Sequence, residues 1–502
     1  MRTCPAHQLF RSLPIVVGCA LPASGFAAEF TTTAGVAPGL TYTDNVCLSK
    51  DNKQDAWVGT LTPGGSIEGK GRNAEFNVAG SVEFNTLTDS QLKDNDCAGG
   101  SFGSREQFAP RINAKGSAVL IEDWLKLGAS GRANQNEVFS SAGGADSFDG
   151  NGNTNTYYRY SLSPVLSRRL KDIATYTLRY NYNEVINTAD DLSNSSSDSW
   201  STSLASGNAS RISWDLFGDY RKVSYDDDDV FVEEDGTVVP RENAELKSAG
   251  LQTGYRIDRR WQVTGTYGWE WNDFQTYNDE DTDGRTWDLG VNWTPTPRTT
   301  VSVGVGDRFF GKTPRLSISQ KHKRSTFTAS YKKSITFGRD ILTEGNDFNQ
   351  NIQNFGSENS QGPIIDERFT VGYAYDGRRA RINFIGSHSD QTQEDTGQKS
   401  VYDDVALTVS PLVFISRLYS MSATVSWRQD EPRSQFGQPQ FGQPNSNFSN
   451  NSEAWITSVT VGRTLNERMS LSLNYRYTDQ QSDNDFSEYQ ENRIMATLNI
   501  RL

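Results

Sequence analysis

Histidine and cysteine, which often supply catalytic bases and metal ligands, are scarce in this sequence of 502 residues. The three histidines are His7, His322 and His388. No two of them lie at metal-ligand spacing with a cysteine or carboxylate, so we expect no metal site. A Ser-His-Asp hydrolase would need His322 or His388 as its base, but no nucleophile motif, P-loop or dinucleotide fingerprint is present. We therefore predict that the protein is not an enzyme and binds no cofactor.

Carboxylates are more abundant and are concentrated in short polar stretches. Two examples are "YDDDDVFVEEDG", from Tyr225 to Gly236, and "NDEDTDG", from Asn278 to Gly284. The four aspartates at 226–229 are suitable ligands for a divalent cation, but their spacing is not that of a calcium-binding loop. We interpret both stretches as solvated acidic loops, with a bound cation as the alternative. The net charge of −13 argues against nucleic acid as a partner.

Much of the remaining sequence alternates between apolar and polar residues. "ATYTLRYNYN" places Tyr176, Leu178, Tyr180 and Tyr182 opposite Thr177, Arg179 and Asn181. "VSVGVG" places Val301, Val303 and Val305 opposite Ser302, Gly304 and Gly306. A period of two residues predicts a β-strand with one apolar and one polar face. No stretch shows helical periodicity over three turns.

The connections between these segments alternate in length. Long polar connections lie at 43–55, 88–104, 140–153, 226–242, 338–362, 391–398 and 431–451, and short turns lie near 71, 121, 171–172, 258–259, 295–297, 376–377 and 466–467. Outer-membrane barrels have short periplasmic turns and long external loops, and their strands cross the bilayer in ~10 residues. We therefore predict one all-β, transmembrane, antiparallel outer-membrane barrel of about 22 strands, within a range of about 18 to 24. Tryptophans near strand ends (Trp269, Trp271, Trp427 and Trp455) suit interfacial girdles.

The first residues are typical of an export signal. A basic start, the apolar core "LPIVVGCALPA" and small residues before Ala28 predict a signal peptide at 1–27 and a barrel domain at 28–502. Two of the four cysteines, Cys47 and Cys97, remain after cleavage, and each falls in a long loop. Because exported proteins meet an oxidising compartment, we expect these two cysteines to pair, with free thiols as the alternative.

The polar faces of the strands contain the candidate binding residues. On this register Arg179, Arg308, Arg381, Arg428 and Arg476 point into the lumen. Guanidinium groups bind carboxylates and phosphates well, so these arginines are candidates to contact an anionic polymer. The alternative is that they pair with lumen acids such as Glu270 and Asp288 and only complete the wall.

One central block also resembles a known family. "PRTTVSVGVGDRFFG", followed by "LSISQKHKRSTFTASY", is similar to a signature of outer-membrane proteins associated with the PEP-CTERM/exosortase system. "YTDNV", "LTPGGSIEGKG" and "EDWLKLGASGR" resemble further segments of that family. The resemblance covers most of the chain after the signal and implies a Gram-negative outer-membrane barrel encoded with exopolysaccharide and protein-sorting loci. Two features depart from the expectation: the chain ends in Leu502 where barrels usually end in an aromatic residue, and the loop cysteines are not part of the pattern.

These observations predict a porin-like conduit or scaffold for exopolysaccharide export in the outer membrane. The expected partners are outer-membrane lipid and lipopolysaccharide, the barrel-assembly machinery, an anionic exopolysaccharide and periplasmic export components. One alternative is an envelope anchor whose lumen is filled by its own loops, such as 338–362 or 432–451. A barrel enzyme acting on lipid or surface polymer would depend on His388. A plugged nutrient transporter would need an N-terminal plug domain, whereas strands begin here almost at Glu29.

Overall fold

The computed structural model describes most of the chain. The described residues are 29–87, 108–138, 144, 146, 148–149, 153–171, 173–189, 192–207, 211–226, 230–232, 238–240, 242–277, 281–343, 362–411, 418–433, 451–483 and 487–502. The predicted signal peptide at 1–27, Cys97 and the aspartates at 227–229 lie outside the described residues, so those predictions stay predictions.

Strands make up nearly all of the regular structure. In chain order they are β1 Glu29–Thr43, β2 Ala56–Lys70, β3 Ala74–Leu87, β4 Phe108–Ile121, β5 Leu125–Glu137, β6 Thr154–Leu170, β7 Ala174–Asn187, β8 Ser195–Ser206, β9 Ile212–Tyr225, β10 Val230–Val232, β11 Val238–Pro240, β12 Ala244–Arg256 and β13 Trp261–Asp273. The chain continues with β14 Gly284–Thr296, β15 Thr299–Arg308, β16 Gly311–Lys312, β17 Arg315–Lys321, β18 Ser325–Phe337, β19 Pro363–Asp376, β20 Ala380–Gln393, β21 Lys399–Pro411, β22 Tyr419–Arg433, β23 Ser452–Asn466, β24 Met469–Ser482 and β25 Tyr489–Arg501. One helix, α1 Gly338–Thr343, lies in the described residues between β18 and β19.

The strands close into a barrel. Among the described residues, 22 of them form the wall, while β10 and β11 make a separate hairpin and β16 is a short strand paired with the end of β15. Each wall strand pairs antiparallel with the next, and β1 pairs with β25 from Gly35–Arg501 to Thr43–Arg493. The prediction of a transmembrane antiparallel barrel of about 22 strands is confirmed. None of the helical segments that the structure describes has the length and apolar character needed to cross a bilayer.

The alternation of the sequence separates the two faces of the wall. Val301, Val303 and Val305 lie opposite Trp293, Val291 and Leu289 of the neighbouring strand. Leu289 is 58% exposed and Val303 50% exposed on the outer surface. A soluble protein would bury side chains of this kind, whereas a transmembrane barrel turns them toward lipid. The serines and glycines between them therefore face the lumen.

Aromatic pairs mark both ends of the outer wall. At the end with short turns, which we call the short-turn end, the rings of Trp261 and Trp293 stack with centroids 5.3 Å apart. At the opposite, long-loop end, Trp427 and Trp455 lie 6.4 Å apart, and both indole N–H groups donate to Glu453, over 2.7 and 3.0 Å. An apolar ring body with a satisfied polar edge suits a membrane–water interface. The predicted strand-end girdle residues therefore lie where interfacial aromatics are expected.

Candidate functional site

A set of cations lines one sector of the lumen, on β4 to β7. We call it the basic wall, and it consists of Lys115, Lys126, Arg132, Arg159, Arg169 and Arg179. Their inward direction follows from the register of the sheet. Lys126 and Arg179 both lie opposite Val165, and Arg132 lies opposite Arg159. The residues that alternate with them, such as Ile112 and Leu162, are exposed on the outer wall.

Among the described residues, most of the basic wall has no acidic partner. Within the part of the chain that the structure describes, Lys115, Lys126, Arg132, Arg169 and Arg179 form no ion pair. The acids of β4 to β7 are Glu184, which accepts hydrogen bonds from Tyr182 and Tyr160 on the outer wall, and Glu137 at the end of β5. An unpaired cationic strip is unexpected in a protein of net charge −13, because lumen cations usually pair when acids are available.

Two connected cavities lie against this sector. One, of about 540 Å³, is lined by Lys126, Ser163 and Arg179, and the other, of about 360 Å³, extends from Arg179 toward Arg221 and Arg308. Both share Arg179, Asn181 and Ser199. The adjacent strand β8 contributes an uncharged polar surface to the lumen, consisting of Ser197, Ser199, Ser201 and Ser203. The cations therefore face a polar cavity and not a packed core.

The five arginines predicted from the sequence divide into two groups. Arg179 belongs to the basic wall and forms no ion pair within the described residues. The other four each have an acidic partner: Arg308 with Glu270 at 2.8 Å, Arg381 with Asp376 at 2.9 Å, Arg428 with Glu137 at 3.1 Å and Arg476 with Asp146 at 3.7 Å. The alternative interpretation, pairing with lumen acids, describes these four. The other basic-wall residues were not predicted, although the alternation in "LKLGASGRANQNE" puts Lys126 and Arg132 on the same face.

The glycines of β14 and β15 accommodate another lumen ion pair. Arg315 donates to Asp288 with Nε at 3.0 Å and Nη2 at 2.6 Å. A Cβ atom on Gly290 would lie 2.3 Å from Arg315 Nη2, and one on Gly304 would lie 2.6 Å from its Nε. The guanidinium therefore lies flat across these two positions. The second acid named as a lumen partner, Asp288, therefore pairs with Arg315 and not with one of the five predicted arginines.

Helix α1 folds inward at the long-loop end. Asp340 accepts a hydrogen bond from Arg221 of β9 at 2.5 Å and lies 4.0 Å from Arg159 of β6. Arg339 is 1% exposed and donates to the side-chain oxygen of Asn183 of β7 at 2.7 Å. Because α1 follows β18, these contacts extend from one part of the wall to strands β6, β7 and β9. The expectation that long loops lie outside the barrel is therefore wrong for 338–343.

Apolar side chains support the position of α1. Phe337, at the end of β18, is fully buried in a cluster with Val223, Ala244 and Phe274. The guanidinium of Arg221 stacks on the Phe337 ring, 4.6 Å from its centroid. A dry cluster inside the lumen holds the adjacent helix in place, because releasing it would expose the apolar surface to water. The long-loop mouth is thus partly filled by protein.

Three inward loop residues, Asp146, Phe148 and Asp149, contact the far side of the mouth, and we call them the 144–149 segment. Arg493 of β25 pairs with Asp149 at 2.7 Å, with Glu491 at 2.8 Å and with Asp146. Its guanidinium stacks on Phe148, 4.7 Å from the ring centroid. Burial raises the pKa of Asp149 to about 7 and outweighs the lowering effect of Arg493. Burial also acts to raise the pKa of Asp146, but Arg493, Arg476 and Arg111 together hold it below its ordinary value.

Two further contacts cross the same mouth. Arg428 of β22 reaches Glu137 of β5, and the backbone N–H of Tyr277 donates to the carbonyl of Glu394 at 2.7 Å. A 22-stranded barrel has a wide lumen, which in known barrels of this size is plugged. In the described part of this chain, the long-loop end is narrowed by its own loops, and the cavities on the basic wall lie beneath them.

The other candidates for chemistry in the sequence are His388, the potential metal ligands and the cysteines. His388 Nδ1 lies 2.7 Å from Asp403 on the outer wall. The flanking Ser387 and Ser389 face the lumen instead, where their hydroxyl groups donate hydrogen bonds to Asp404 and Asp366. No group of three or more potential metal ligands occurs among the residues that the structure describes. Cys47 is disulfide-bonded, and its pairing with Cys97 stays a prediction because Cys97 is not described.

Comparisons with known proteins give the class of protein. No protein-family model and no curated protein matches the sequence. Among solved structures, the chain is similar to the siderophore receptor PirA from Acinetobacter baumannii, with a TM-score of 0.50 at 9% identity, covering 94% of this chain and 81% of that one. It is also similar to a variant of the ferric enterobactin receptor PfeA from Pseudomonas aeruginosa, with a TM-score of 0.51 at 11% identity, covering 94% and 80%. The FrpB iron transporter from Neisseria meningitidis gives 0.50 at 10% identity, with 94% and 82% covered.

Similarity at this identity shows the fold alone, so the ligands named for those structures are not transferred to this chain. The fold is that of outer-membrane receptor and transporter barrels, which belong to the Gram-negative outer membrane. These neighbours are receptors and transporters, and the expectation that this protein is not an enzyme stays a prediction.

Proposed function

We propose that this protein is a conduit for an anionic polymer across the outer membrane, with an acidic exopolysaccharide as the substrate class. The observation that carries the proposal is a basic wall of which five cations, Lys115, Lys126, Arg132, Arg169 and Arg179, form no ion pair among the described residues. This wall lies beside a polar cavity, in a protein whose overall charge is negative. The resemblance of the sequence to PEP-CTERM/exosortase-associated proteins supports a role in exopolysaccharide export or protein sorting. Lipopolysaccharide, the barrel-assembly machinery and periplasmic export components are the partners this role requires.

The arrangement of the basic wall suits a chain-like ligand. On β6 and its neighbours the cations recur along the strand direction, from Arg169 near the short-turn end, past the row of Lys126 and Arg179, to the row of Arg132 and Arg159. Arg132 and Arg159 are directly opposite each other, and like charges in that position destabilise a sheet. An anionic group between them would remove this repulsion. A polymer with regularly spaced carboxylates would contact several rows at once.

The test is equilibrium binding of oligogalacturonate to the purified barrel in detergent, measured by isothermal titration calorimetry. Lys126→Gln/Arg179→Gln removes two unpaired cations that share one row. We expect the dissociation constant to rise about a hundredfold or more, because two charged hydrogen bonds are lost and each contributes about 1.5–3 kcal/mol. Arg72→Gln/Lys321→Gln, which removes the same charge from two exposed residues at the short-turn rim, is the matched control. Equal affinities of the two double variants for oligogalacturonate would contradict the proposal. So would wild-type binding of a neutral oligosaccharide as tightly as oligogalacturonate.

The second candidate is an envelope anchor whose lumen is filled by its own loops. It is favoured by the inward positions of α1 and of the segment at 144–149. The two functions differ in conductance across a planar bilayer. An anchor stays silent at every concentration of oligogalacturonate, whereas a conduit passes current when its mouth is open.

A further inference from the structure

The two inward loops make the same set of contacts with the wall. In each, a loop aspartate pairs with a wall arginine whose guanidinium stacks on a phenylalanine adjacent to that loop. At α1 the three residues are Asp340, Arg221 and Phe337. At the other site they are Asp149, Arg493 and Phe148. The two sites lie on different loops and different strands, so the recurrence is not a consequence of one local turn.

A second arginine accompanies each of these pairs. Arg159 lies 4.0 Å from Asp340, and Arg476 lies 3.7 Å from Asp146 of the other loop. Arg476 and Arg493 are directly opposite each other on β24 and β25, as Arg132 and Arg159 are on β5 and β6. The loop carboxylates therefore occupy places where anionic groups offset repulsion between neighbouring lumen arginines.

The two sites differ in their accessibility from the lumen. The side chain of Arg493 is 7% exposed, and that of Asp149 is 2% exposed. The side chain of Arg221 is 30% exposed and lines the cavity of about 360 Å³ that also contains Arg179. A ligand that moves along the basic wall from Arg179 thus reaches Arg221 without first crossing a packed layer. The Arg493 site has no such access and is a structural clamp.

We propose that Arg159 and Arg221 form an anion-binding subsite at the long-loop end of the basic wall, and that Asp340 occupies it as a displaceable internal counter-ion. The ligand class is a carboxylate of an acidic polysaccharide, so this inference rests on the proposed function and adds how its site is regulated. A carboxylate that arrives along the wall competes with Asp340 for the same guanidinium N–H groups. Its binding releases Asp340 from Arg221, while the Phe337 cluster keeps the base of α1 anchored, and the mouth widens.

The substitution Asp340→Asn tests this competition. The amide keeps the size of the side chain but removes the charge that holds it on Arg221. We expect Asp340→Asn to bind oligogalacturonate about tenfold more tightly than the wild type, because the polymer no longer displaces a charged competitor. We also expect it to conduct across a planar bilayer without oligogalacturonate, a state that the wild type reaches after oligogalacturonate is added.

Asp51→Asn is the matched control, since Asp51 is an exposed loop aspartate and the change in net charge is identical. Asp51→Asn should bind and conduct like the wild type. An Asp340→Asn barrel that binds oligogalacturonate no more tightly than the wild type overturns the proposal, whatever its conductance. Heat-modifiable migration on gels shows whether Asp340→Asn folds. If it does not fold, Arg159→Gln replaces it in the test. This substitution removes the second arginine of the subsite and retains the Arg221–Asp340 pair. Arg159→Gln should weaken binding, and unchanged binding overturns the proposal.

The outcome is separable from that of the conduit itself. If Lys126→Gln/Arg179→Gln binds like its rim control, the conduit is contradicted. If that variant loses binding while Asp340→Asn gains none, the conduit stands and only the displaced counter-ion fails.

Discussion

Individual lumen arginines differ in how deeply their acidic partners are buried. Glu270, the partner of Arg308, has a side chain 7% exposed, and Arg308 also stacks on Phe310 at 5.0 Å. Arg381 and its partner Asp376 have side chains 64% and 75% exposed at the short-turn rim. Breaking a buried pair leaves an uncompensated charge, whereas an exposed pair contributes little. Arg308 therefore contributes more to stability than Arg381, although the sequence pattern predicts that both point into the lumen.

This difference predicts the stability of two matched variants. Arg308→Gln should lower the free energy of unfolding by about 2–4 kcal/mol, because Glu270 is left buried without its cation. Arg381→Gln should change it by about 0.5 kcal/mol or less. Urea unfolding of each barrel in lipid vesicles, followed by tryptophan fluorescence, measures both. Equal losses in the two variants would show that burial of Glu270 does not determine the cost.

At the residue scale, the sequence predicted directions better than partners. The alternation around Arg179 gave its inward position, and the small residues between Val301 and Val305 were correctly assigned to the lumen. The partner of Arg428 was not predictable, because Glu137 lies 291 positions away and meets it across the lumen. Lys115, Lys126 and Arg132 were missed because their distance from any acid among the described residues becomes visible only when the register of the neighbouring strands is known.

At the scale of whole elements, the strands followed from the sequence and the loops did not. A period of two residues determines which face of a strand meets lipid. The positions of α1 and of 144–149 depend instead on single contacts between distant parts of the chain. Arg493 and Asp149, for example, are separated by 344 positions. The polar composition of these loops indicated an external location, but Phe337 and Phe148 anchor them inside.

The 144–149 segment should respond to pH through Asp149. Burial raises the pKa of this carboxyl group to about 7 in the docked segment, so the docked state holds a proton more tightly than a released, solvated segment does. Docking is therefore favoured by protonation at pH values below about 7 and weakens as the pH rises through about 7. The groups that face it are Arg493, Glu491, Asp146 and Arg476. The lowered pKa of Asp146 has the opposite sign, but its window lies below the ordinary value of 3.8.

With oligogalacturonate present, we expect the wild-type barrel to conduct for a larger fraction of time at pH 8.5 than at pH 5.5. Asp149→Asn, which cannot ionise, should remove most of this dependence and stay docked at both values. Single-channel recording at the two pH values measures the open fraction. Retention of the full pH response in Asp149→Asn would assign it to another group. Asp51→Asn, with the same change in charge, should behave like the wild type.

At the scale of the whole molecule, the fold depends on one seam that joins the first strand to the last. β1 and β25 meet through the register from Gly35–Arg501 to Thr43–Arg493, and the N–H of Leu502 donates to the carbonyl of Ala34 at 2.9 Å. Closure of this kind removes every strand edge, which is a requirement in lipid, where an unpaired backbone group finds no water. The alternation of the sequence continues to the final residues, so the end of the chain is predictable as a strand. That this last strand pairs with β1 follows only from closure of the barrel.

Close backbone approach at Gly35 makes the seam sensitive to a single methyl group. A Cβ atom at this position would lie 2.8 Å from the carbonyl oxygen of Ile500, a backbone atom that cannot rotate away. We expect Gly35→Ala to separate β1 from β25 locally and to lower the free energy of unfolding by about 1–3 kcal/mol, the usual cost of overpacking. The fraction of folded barrel as a function of temperature, followed by heat-modifiable migration on gels, measures this loss.

The matched control for the seam is Gly128→Ala, because a Cβ atom there would meet Ser163 at 3.6 Å, an ordinary contact away from the seam. Both variants reduce the entropy of the unfolded chain in the same way, so the difference between them isolates the contact with Ile500. A Gly35→Ala barrel that unfolds at the same temperature as the Gly128→Ala barrel would mean that the β1–β25 seam adjusts at no cost. In that case the stability of the closed barrel would depend on the hairpin-connected pairs rather than on the junction between the first and last strands.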